Sequence, residues 1–179
     1  PAAVPGPATR PRWFGGAGLR PAWMAFGLAA VLAVVALGSW NLQLRSQVDT
    51  LSAYRDGVIQ VLDLASGPGG QLAVLTDPDR VTRANGIAGV GSDGRVAVVM
   101  RDLAPTSGSQ VYEVWLVGAD GKPLPIGDFA VGGGGSGTFS TRAPGTAEGV
   151  VVALTLEPGP GATTPTQPLI ALGTARPAG

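Results

Sequence analysis

Residues that could carry out catalysis or hold a ligand are scarce in this sequence. Its 179 residues include no histidine and no cysteine, which removes imidazole bases, thiolate nucleophiles, disulfides and Cys/His zinc sites. A serine-lysine dyad needs no histidine, but the single lysine, Lys122, lies beside a turn in Asp120-Gly121-Lys122-Pro123 and is predicted to be solvated. The twelve carboxylates are scattered, and Asp77-Pro78-Asp79 is explained as a turn. The sequence therefore predicts no enzyme, no cofactor and no metal site.

Two glycine-rich segments resemble nucleotide-binding loops in composition only. Gly89-Val90-Gly91-Ser92-Asp93-Gly94 has the G-x-G-x-x-G spacing, but the β-branched run after it is typical of a strand, whereas a dinucleotide loop opens a helix. The segment is therefore predicted to be a hairpin turn. Residues 132 to 137 lack a following Lys-Ser/Thr pair and are predicted to connect two strands.

The charge balance argues against nucleic acid as a partner. Twelve basic residues offset twelve acidic ones, so the formal net charge is zero. Binding to nucleic acid depends largely on neutralising phosphates with an excess of Lys and Arg. No nucleic-acid partner is expected.

The first third of the chain predicts a linker followed by a membrane span. Residues 1 to 20 are rich in Pro, Gly and Ala and have no periodic apolar face, as expected of a flexible cytoplasmic linker. Residues 22 to 40 carry no charge, and nineteen helical residues reach about 28 Å, close to the thickness of bilayer hydrocarbon. We therefore predict a transmembrane helix over residues 21 to 42, with the lipid bilayer as its partner.

Residues at the two ends of this span predict its orientation in the plasma membrane. Trp23 and Trp40 stand where indole rings prefer the membrane interface, and Arg20 lies at the N-terminal end. Three arginines precede the span and two follow closely, which favours a single-pass protein with its N-terminus in the cytoplasm and its C-terminal domain outside. A cleaved signal peptide is the alternative, because Ala36-Leu37-Gly38 resembles a cleavage site; the preceding linker and the continuing helical pattern disfavour it.

Residues 43 to 66 are predicted to form a juxtamembrane helical stalk. Apolar positions recur at alternating spacings of four and three, as in a helix that packs on a partner. One interpretation is a homodimer, aided by a small-residue face in the membrane that includes Ala29 and Ala33. The other, which we favour because Arg55 and Gly57 interrupt the pattern, is that the stripe packs on its own domain. The stripe comprises Leu44, Val48, Leu51, Arg55, Val58 and Leu62.

From residue 71 to residue 176 the pattern predicts an extracytoplasmic β domain. Asp-Gly pairs at 93–94 and 120–121 indicate hairpins, and no helix-like segment separates the runs. We predict an eight-stranded antiparallel β-sandwich, with Val150, Val152, Leu154 and Leu156 facing its core. The predicted strands are 71–76, 82–90, 95–102, 111–117, 124–130, 137–142, 149–157 and 167–174.

Several aromatic and acidic residues in this domain are distinctive. Tyr112 and Trp115 lie three apart on a predicted strand and so face opposite sides of the sheet. Glu157 ends a strand before Pro158, where its carboxylate can accept hydrogen bonds from backbone N–H groups of the following loop and hold that loop in place. Structural roles are favoured over ligand contact for both groups.

At these residues the chain resembles the C-terminal domain of the anti-sigma-K factor family. The resemblance covers roughly residues 20 to 174 and includes the single span. It rests on four segments in matching order and spacing: Tyr112-Glu113-Val114-Trp115-Leu116, Gly127-Asp128-Phe129, Thr155-Leu156-Glu157-Pro158 and Pro165-Thr166. The sequence departs from the family at Gly159-Pro160-Gly161, where the pattern has Gly-Gly.

The resemblance implies a membrane-anchored sensory part of an anti-sigma factor, released by regulated proteolysis. It implies a sigma factor as partner of an upstream cytoplasmic domain that is absent from these residues, and membrane proteases as further partners. Intramembrane cleavage is expected around Ala29, Ala33, Gly38 and Ser39, where Gly38 and Ser39 weaken the helix. The alternative is a membrane-anchored envelope binding module without a transcriptional role.

Overall fold

The computed structural model describes the backbone of residues 20 to 144 and 149 to 178; side chains of residues 20 to 31, 46, 47 and 50 lie outside the description. The chain divides into two compact units, Pro1–Leu44 and Arg45–Gly179. Residues 1 to 19 of the predicted linker lie outside the described residues.

The predicted span and stalk both fall within one helix, α1, from Arg20 to Ser66. Among residues whose side chains are described, no helix has a stretch long and apolar enough to cross a membrane. Side chains at positions 21 to 31 of the predicted span are outside that set.

In the part of the chain that the structure describes, nine strands follow the helix, and all their pairings are antiparallel. The spatial order is β5-β4-β7-β8-β1-β2-β3-β6, and the short β9 pairs with β1. A mainly β, antiparallel domain is thereby confirmed, and each of the eight predicted runs overlaps a strand. The strands are β1 (Gln71–Thr76), β2 (Asn85–Val90), β3 (Arg95–Arg101), β4 (Val111–Val117), β5 (Pro123–Phe129), β6 (Gly137–Arg142), β7 (Val151–Glu157), β8 (Ala171–Thr174) and β9 (Arg176–Pro177).

The strands form one continuous sheet, which differs from the two stacked sheets of the predicted sandwich. The reason lies at β8, where Leu172 pairs with Ala153 on one side and with Thr76 on the other. This double pairing joins the two halves of the sheet. The sheet curls until its end strands approach, and the rings of Phe129 on β5 and Phe139 on β6 stack with centroids 6.4 Å apart. The domain is therefore close to a barrel.

Its main core fills the inside of the curled sheet. Alternate residues of each strand point inward, as period-two side-chain geometry requires. On β7 and just before it, Val150, Val152 and Leu154 are buried in this core and Leu156 is partly buried, so the predicted core face of this strand is confirmed.

A second apolar cluster lies on the outer face of the sheet, under the last turns of α1. Val61 and Leu64 of the helix are buried against Ala97 and Val99 of β3. Two glycines allow the close approach: a Cβ on Gly57 would lie 2.8 Å from a Val99 methyl, and one on Gly89 would lie 2.5 Å from the carbonyl oxygen of Val61.

The helix thus packs on its own domain, as favoured from the sequence, but through a face that coincides with the predicted stripe only at Val58. Of the stripe residues, Val58 packs on the sheet, whereas Val48, Leu51 and Leu62 are more than half exposed. The reason is Gly57: the helix comes nearest to the sheet where it has no side chain, which turns the stripe partly toward solvent.

Candidate functional site

The family-motif residues of the β domain form two clusters on opposite faces of β4. This strand lies between β5 and β7. Tyr112 points into the core and Trp115 points to the outer face, yet both are almost completely buried. The segment between β7 and β8 is tied to this outer face, because its Thr166 donates two hydrogen bonds to Glu157. We call this segment, residues 158 to 170, the strap.

The inner cluster joins the two ends of the sheet. Tyr112 stacks on Phe129 with ring centroids 5.8 Å apart, and Phe129 stacks in turn on Phe139. The Tyr112 hydroxyl donates a hydrogen bond to the carbonyl oxygen of Ala104 at 3.0 Å. Burial raises the pKa of Tyr112 above its ordinary value. We call these three rings the aromatic seam; they close the curled sheet without backbone hydrogen bonds between β5 and β6.

Gly127 makes room for the aromatic seam. Its φ of 134° lies in a region that side chains disfavour, and a Cβ at this position would lie 2.9 Å from the ring of Phe139. In return, the ring of Phe129 covers Gly137 on β6. The Gly-x-Phe spacing of Gly127 and Phe129 therefore reflects two reciprocal contacts between an aromatic ring and a glycine.

The outer cluster is a chain of hydrogen bonds beneath the strap. The indole N–H of Trp115 donates to Thr155 Oγ1 at 2.8 Å. The Thr155 hydroxyl donates in turn to Glu157 Oε1 at 2.5 Å. All three side chains are almost fully inaccessible to solvent. A continuous polar path thus runs from β4 through β7 to the start of the strap.

Glu157 also holds the strap to the sheet, through Thr166. The backbone N–H of Thr166 donates to Glu157 Oε1 at 2.8 Å, and the Thr166 hydroxyl donates to Oε2 at 2.5 Å. This is the kind of contact expected from the sequence for a carboxylate that ends a strand. Burial alone raises the pKa of Glu157, but the hydrogen bonds from Thr155 and Thr166 outweigh it and leave that pKa below its ordinary value. Glu157 therefore stays ionised at neutral pH.

A second buried carboxylate, Glu113, lies on the same face of β4. A bulge between Val114 and Trp115 shifts the β4–β5 register, and Glu113 pairs with Asp128 on β5 and with Thr155 on β7. Its Oε2 atom is buried without a hydrogen-bond partner. Burial, followed by the charges of Asp128 and Glu157, raises the pKa of Glu113.

The remaining predicted positions lie in the strap or in α1. Pro158 and Pro165 are on the strap, where Pro158 is exposed and Pro165 half-buried. Sequence reasoning assigned no role to Glu113 or Thr155. A signal was available, because both are polar residues at outward positions of strands with buried apolar neighbours.

The predicted membrane residues lie in the first compact unit, Pro1–Leu44. Arg20, Trp23 and Ala29 lie in α1, but their side chains are outside the described residues. Further along α1, the predicted positions Ala33, Gly38, Ser39 and Trp40 are all exposed. The helix continues through Gly38, and the Ser39 hydroxyl donates to the carbonyl oxygen of Val35 at 2.8 Å.

This arrangement is suited to holding a loop and to exchanging a proton. Within residues 20 to 144 and 149 to 178, no three His, Cys, Asp or Glu side chains are grouped so as to hold a metal ion. Of the described residues on the outer face, Glu113 and Glu157 are buried and ionisable, and Glu157 holds the strap through Thr166.

Comparison with known proteins agrees with the motif positions. A family model described as the C-terminal region of the anti-sigma-K factor RskA matches residues 25 to 169, more than half of the chain. The chain belongs to this family. The anti-sigma-K match spans both the aromatic seam and the outer polar cluster, and the family is a class of anti-sigma factors, not of enzymes. No curated protein and no solved structure matches the chain.

Proposed function

We propose that this chain is the membrane-anchored sensory and regulatory part of an anti-sigma factor that controls an extracytoplasmic-function sigma factor. The observation that carries the proposal is the family match over residues 25 to 169, which includes most of the uncharged helical stretch and nearly all of the β domain. Binding of the sigma factor itself is assigned to a cytoplasmic domain upstream of these residues.

The helix supports the anchoring part of this proposal. Residues 22 to 40 carry no charge. Within the part whose side chains are described, Leu32, Val35 and Leu37 are each at least 59% exposed. Burying such aliphatic side chains in hydrocarbon is favourable by about 1.5–3 kcal/mol each. The plasma-membrane bilayer is therefore the proposed environment of this part of α1, with Trp23 and Trp40 near its two interfaces.

Arginine placement supports a cytoplasmic N-terminus and an extracytoplasmic β domain. Arg10, Arg12 and Arg20 precede the uncharged stretch, and Arg45 and Arg55 follow it. In this orientation the β domain would meet signals and proteases outside the cytoplasm.

Regulation would then work through proteolysis that the β domain controls. The last turns of α1, from Tyr54 to Ala65, are packed on the sheet, so a protease has little access to extended backbone there while the domain is folded. Local unfolding of the domain would expose that backbone. Cleavage outside would be followed by cleavage within the membrane, around Ala29, Ala33, Gly38 and Ser39.

Self-association of the stalk belongs to the same proposal. Val48, Leu51, Ile59 and Leu62 on α1 are exposed, which leaves an apolar stripe available to a second copy of the chain. A homodimer through this stripe would place two β domains next to each other above the membrane.

A reporter for the sigma-controlled genes tests the proposal in cells that make the full-length parent protein. Deletion of residues 71 to 179 should switch the reporter on without a signal, and inactivation of the membrane protease should switch it off again. The substitution Gly132→Ala, in open space on a loop, is the matched control and should leave the reporter silent. If the deletion also leaves the reporter silent, the β domain does not restrain proteolysis. If the parent protein itself has no effect on the reporter, the result favours an envelope binding module.

A further inference from the structure

Two buried carboxylates on the outer face of the sheet differ in how fully they are hydrogen-bonded. Glu157 accepts hydrogen bonds from Thr155 and from both the N–H and the hydroxyl of Thr166. The Oε2 atom of Glu113 is buried with no hydrogen-bond partner. The strap approaches this carboxylate through the backbone N–H of Gly161, which lowers the pKa of Glu113 less than burial raises it. An ionised carboxylate in such a place keeps the full cost of desolvation, whereas a neutral carboxyl avoids most of it.

The charged groups around Glu113 are themselves acidic. In the part of the chain that the structure describes, the side chains whose charges act on Glu113 are Asp128 on β5 and Glu157 on β7. The strap contributes the backbone N–H of Gly161, and β5 contributes that of Gly127. Ionisation of Glu113 therefore places a second negative charge beside Glu157, on a face covered by the strap.

We propose that the strap is a pH-responsive latch: it is held closed while Glu113 carries a proton, and it loosens when Glu113 is ionised beside Asp128 and Glu157. The ligand of this site is the proton itself. The latch is a property of the β domain and holds whichever side of a membrane the domain occupies, so it does not rest on the proposed function.

The direction of the effect follows from the two pKa shifts. Because the pKa of Glu113 is raised in the folded domain, its protonation stabilises the closed strap in acid, and this stabilisation is lost as the pH rises through the raised value. Because the pKa of Glu157 is lowered, its ionised form stabilises the strap at pH values above the ordinary pKa of a glutamate. This stabilisation is lost only when the pH falls through the lowered value. The latch is therefore tightest between the lowered pKa of Glu157 and the raised pKa of Glu113, and it loosens as the pH rises through the latter.

Trp115 reports on the latch because it is fully buried on the outer face and is linked through Thr155 to Glu157, the carboxylate that holds the strap. In the full 179-residue chain, with Trp13, Trp23 and Trp40 replaced by Phe, Trp115 is the sole tryptophan. Quenching of its fluorescence by acrylamide, a neutral quencher, is then measured from about pH 5 to about pH 9. We expect the quenching constant to rise severalfold through a single transition. An unchanged quenching constant across this range would overturn the proposal.

Two variants assign the transition to Glu113. Glu113→Gln keeps the shape and removes the charge, and it should hold Trp115 protected at every pH in the range. Asp128→Asn leaves Glu113 in place but removes a neighbouring charge; it should give the same quenching as the parent at about pH 5 and move the midpoint to lower pH. A transition that persists in Glu113→Gln, or an unmoved midpoint in Asp128→Asn, would contradict the assignment.

Discussion

The indole of Trp115 and the hydroxyl of Thr155 form a hydrogen bond of 2.8 Å on the covered outer face of the sheet. They are diagonal neighbours on adjacent strands, because Trp115 pairs with Ala153 and Thr155 pairs with Glu113. Thr155 also donates to Glu157, so one hydroxyl connects the central tryptophan of β4 to the carboxylate that holds the strap. The motif residues Trp115 and Glu157 therefore act as one structural unit.

Removing the Thr155 hydroxyl should break this unit. In Thr155→Val, the Trp115 N–H and Glu157 Oε1 each lose a buried partner, at a cost of about 1–3 kcal/mol in the free energy of unfolding. Thr155→Ser keeps the hydroxyl and is the matched control, expected to lie closer to the parent. Urea denaturation of all three proteins measures the difference. Equal stability of the valine and serine variants would show that the hydrogen bonds contribute nothing.

The contact between α1 and the sheet should depend on Gly89. An added Cβ would lie 2.5 Å from the carbonyl oxygen and 3.0 Å from the Cα of Val61, so the helix backbone must move. We expect Gly89→Ala to destabilise the domain by about 1–3 kcal/mol. Gly132→Ala, where an added Cβ meets nothing within 4 Å, should be neutral. Thermal unfolding compares the two, and similar melting temperatures would argue against close packing of the helix.

A double-mutant cycle tests the aromatic seam. Gly127→Ala brings a Cβ to 2.9 Å from the Phe139 ring and places a side chain at a φ of 134°. Phe139→Leu relieves the clash but leaves the backbone strain. We therefore expect a coupling of about 0.5–3 kcal/mol between the two substitutions in unfolding measurements. Strict additivity would mean that the glycine is required only for its backbone conformation.

The turn after β1 should make stability depend on pH in acid. The Asp77 carboxylate accepts a hydrogen bond from the Thr82 hydroxyl at 2.7 Å, and also from the backbone N–H groups of Thr82, Asp79 and Arg80. These bonds, led by that of the Thr82 side chain, lower the pKa of Asp77. A carboxylate whose pKa is lowered by folding stabilises the fold at pH values above its ordinary pKa. This stabilisation is lost as the pH falls through the lowered pKa.

The parent should therefore be more stable than Asp77→Asn at neutral pH. The difference between their free energies of unfolding should become smaller below about pH 4. Asp79→Asn, on an exposed residue of the same turn, is the control for a general loss of charge. Unfolding curves over a series of pH values provide the comparison. A gap that stays constant into acid would rule out the carboxylate as its source.

The strands could be located from sequence because their signals are local. Asp93-Gly94 and Asp120-Gly121 lie between β2 and β3 and between β4 and β5, and Gly94 and Gly121 both have positive φ values. Alternation likewise placed Tyr112 and Trp115 on opposite faces of β4. These features depend on neighbours within a few residues, which a single sequence displays.

The features that escaped prediction depend on contacts between distant segments. The pairing of Leu172 with both Ala153 and Thr76 makes one sheet instead of two, and period-two patterns are the same in either arrangement. The hydrogen bonds between Thr166 and Glu157 depend on a strap that folds back from beyond β7. The face of α1 that meets the sheet was missed because a glycine, Gly57, marks it, whereas the heptad pattern counts apolar side chains.

Labelling of introduced cysteines tests the central claim, a β domain anchored on the outer side of the membrane, most directly. The chain has no cysteine, so Asp120→Cys on an exposed turn and Ala8→Cys before the helix each provide a unique thiol. In intact cells, a membrane-impermeant maleimide should label position 120 and leave position 8 unlabelled until the cells are opened. Labelling of position 8 alone in intact cells, or recovery of the chain in the soluble fraction, would contradict the account.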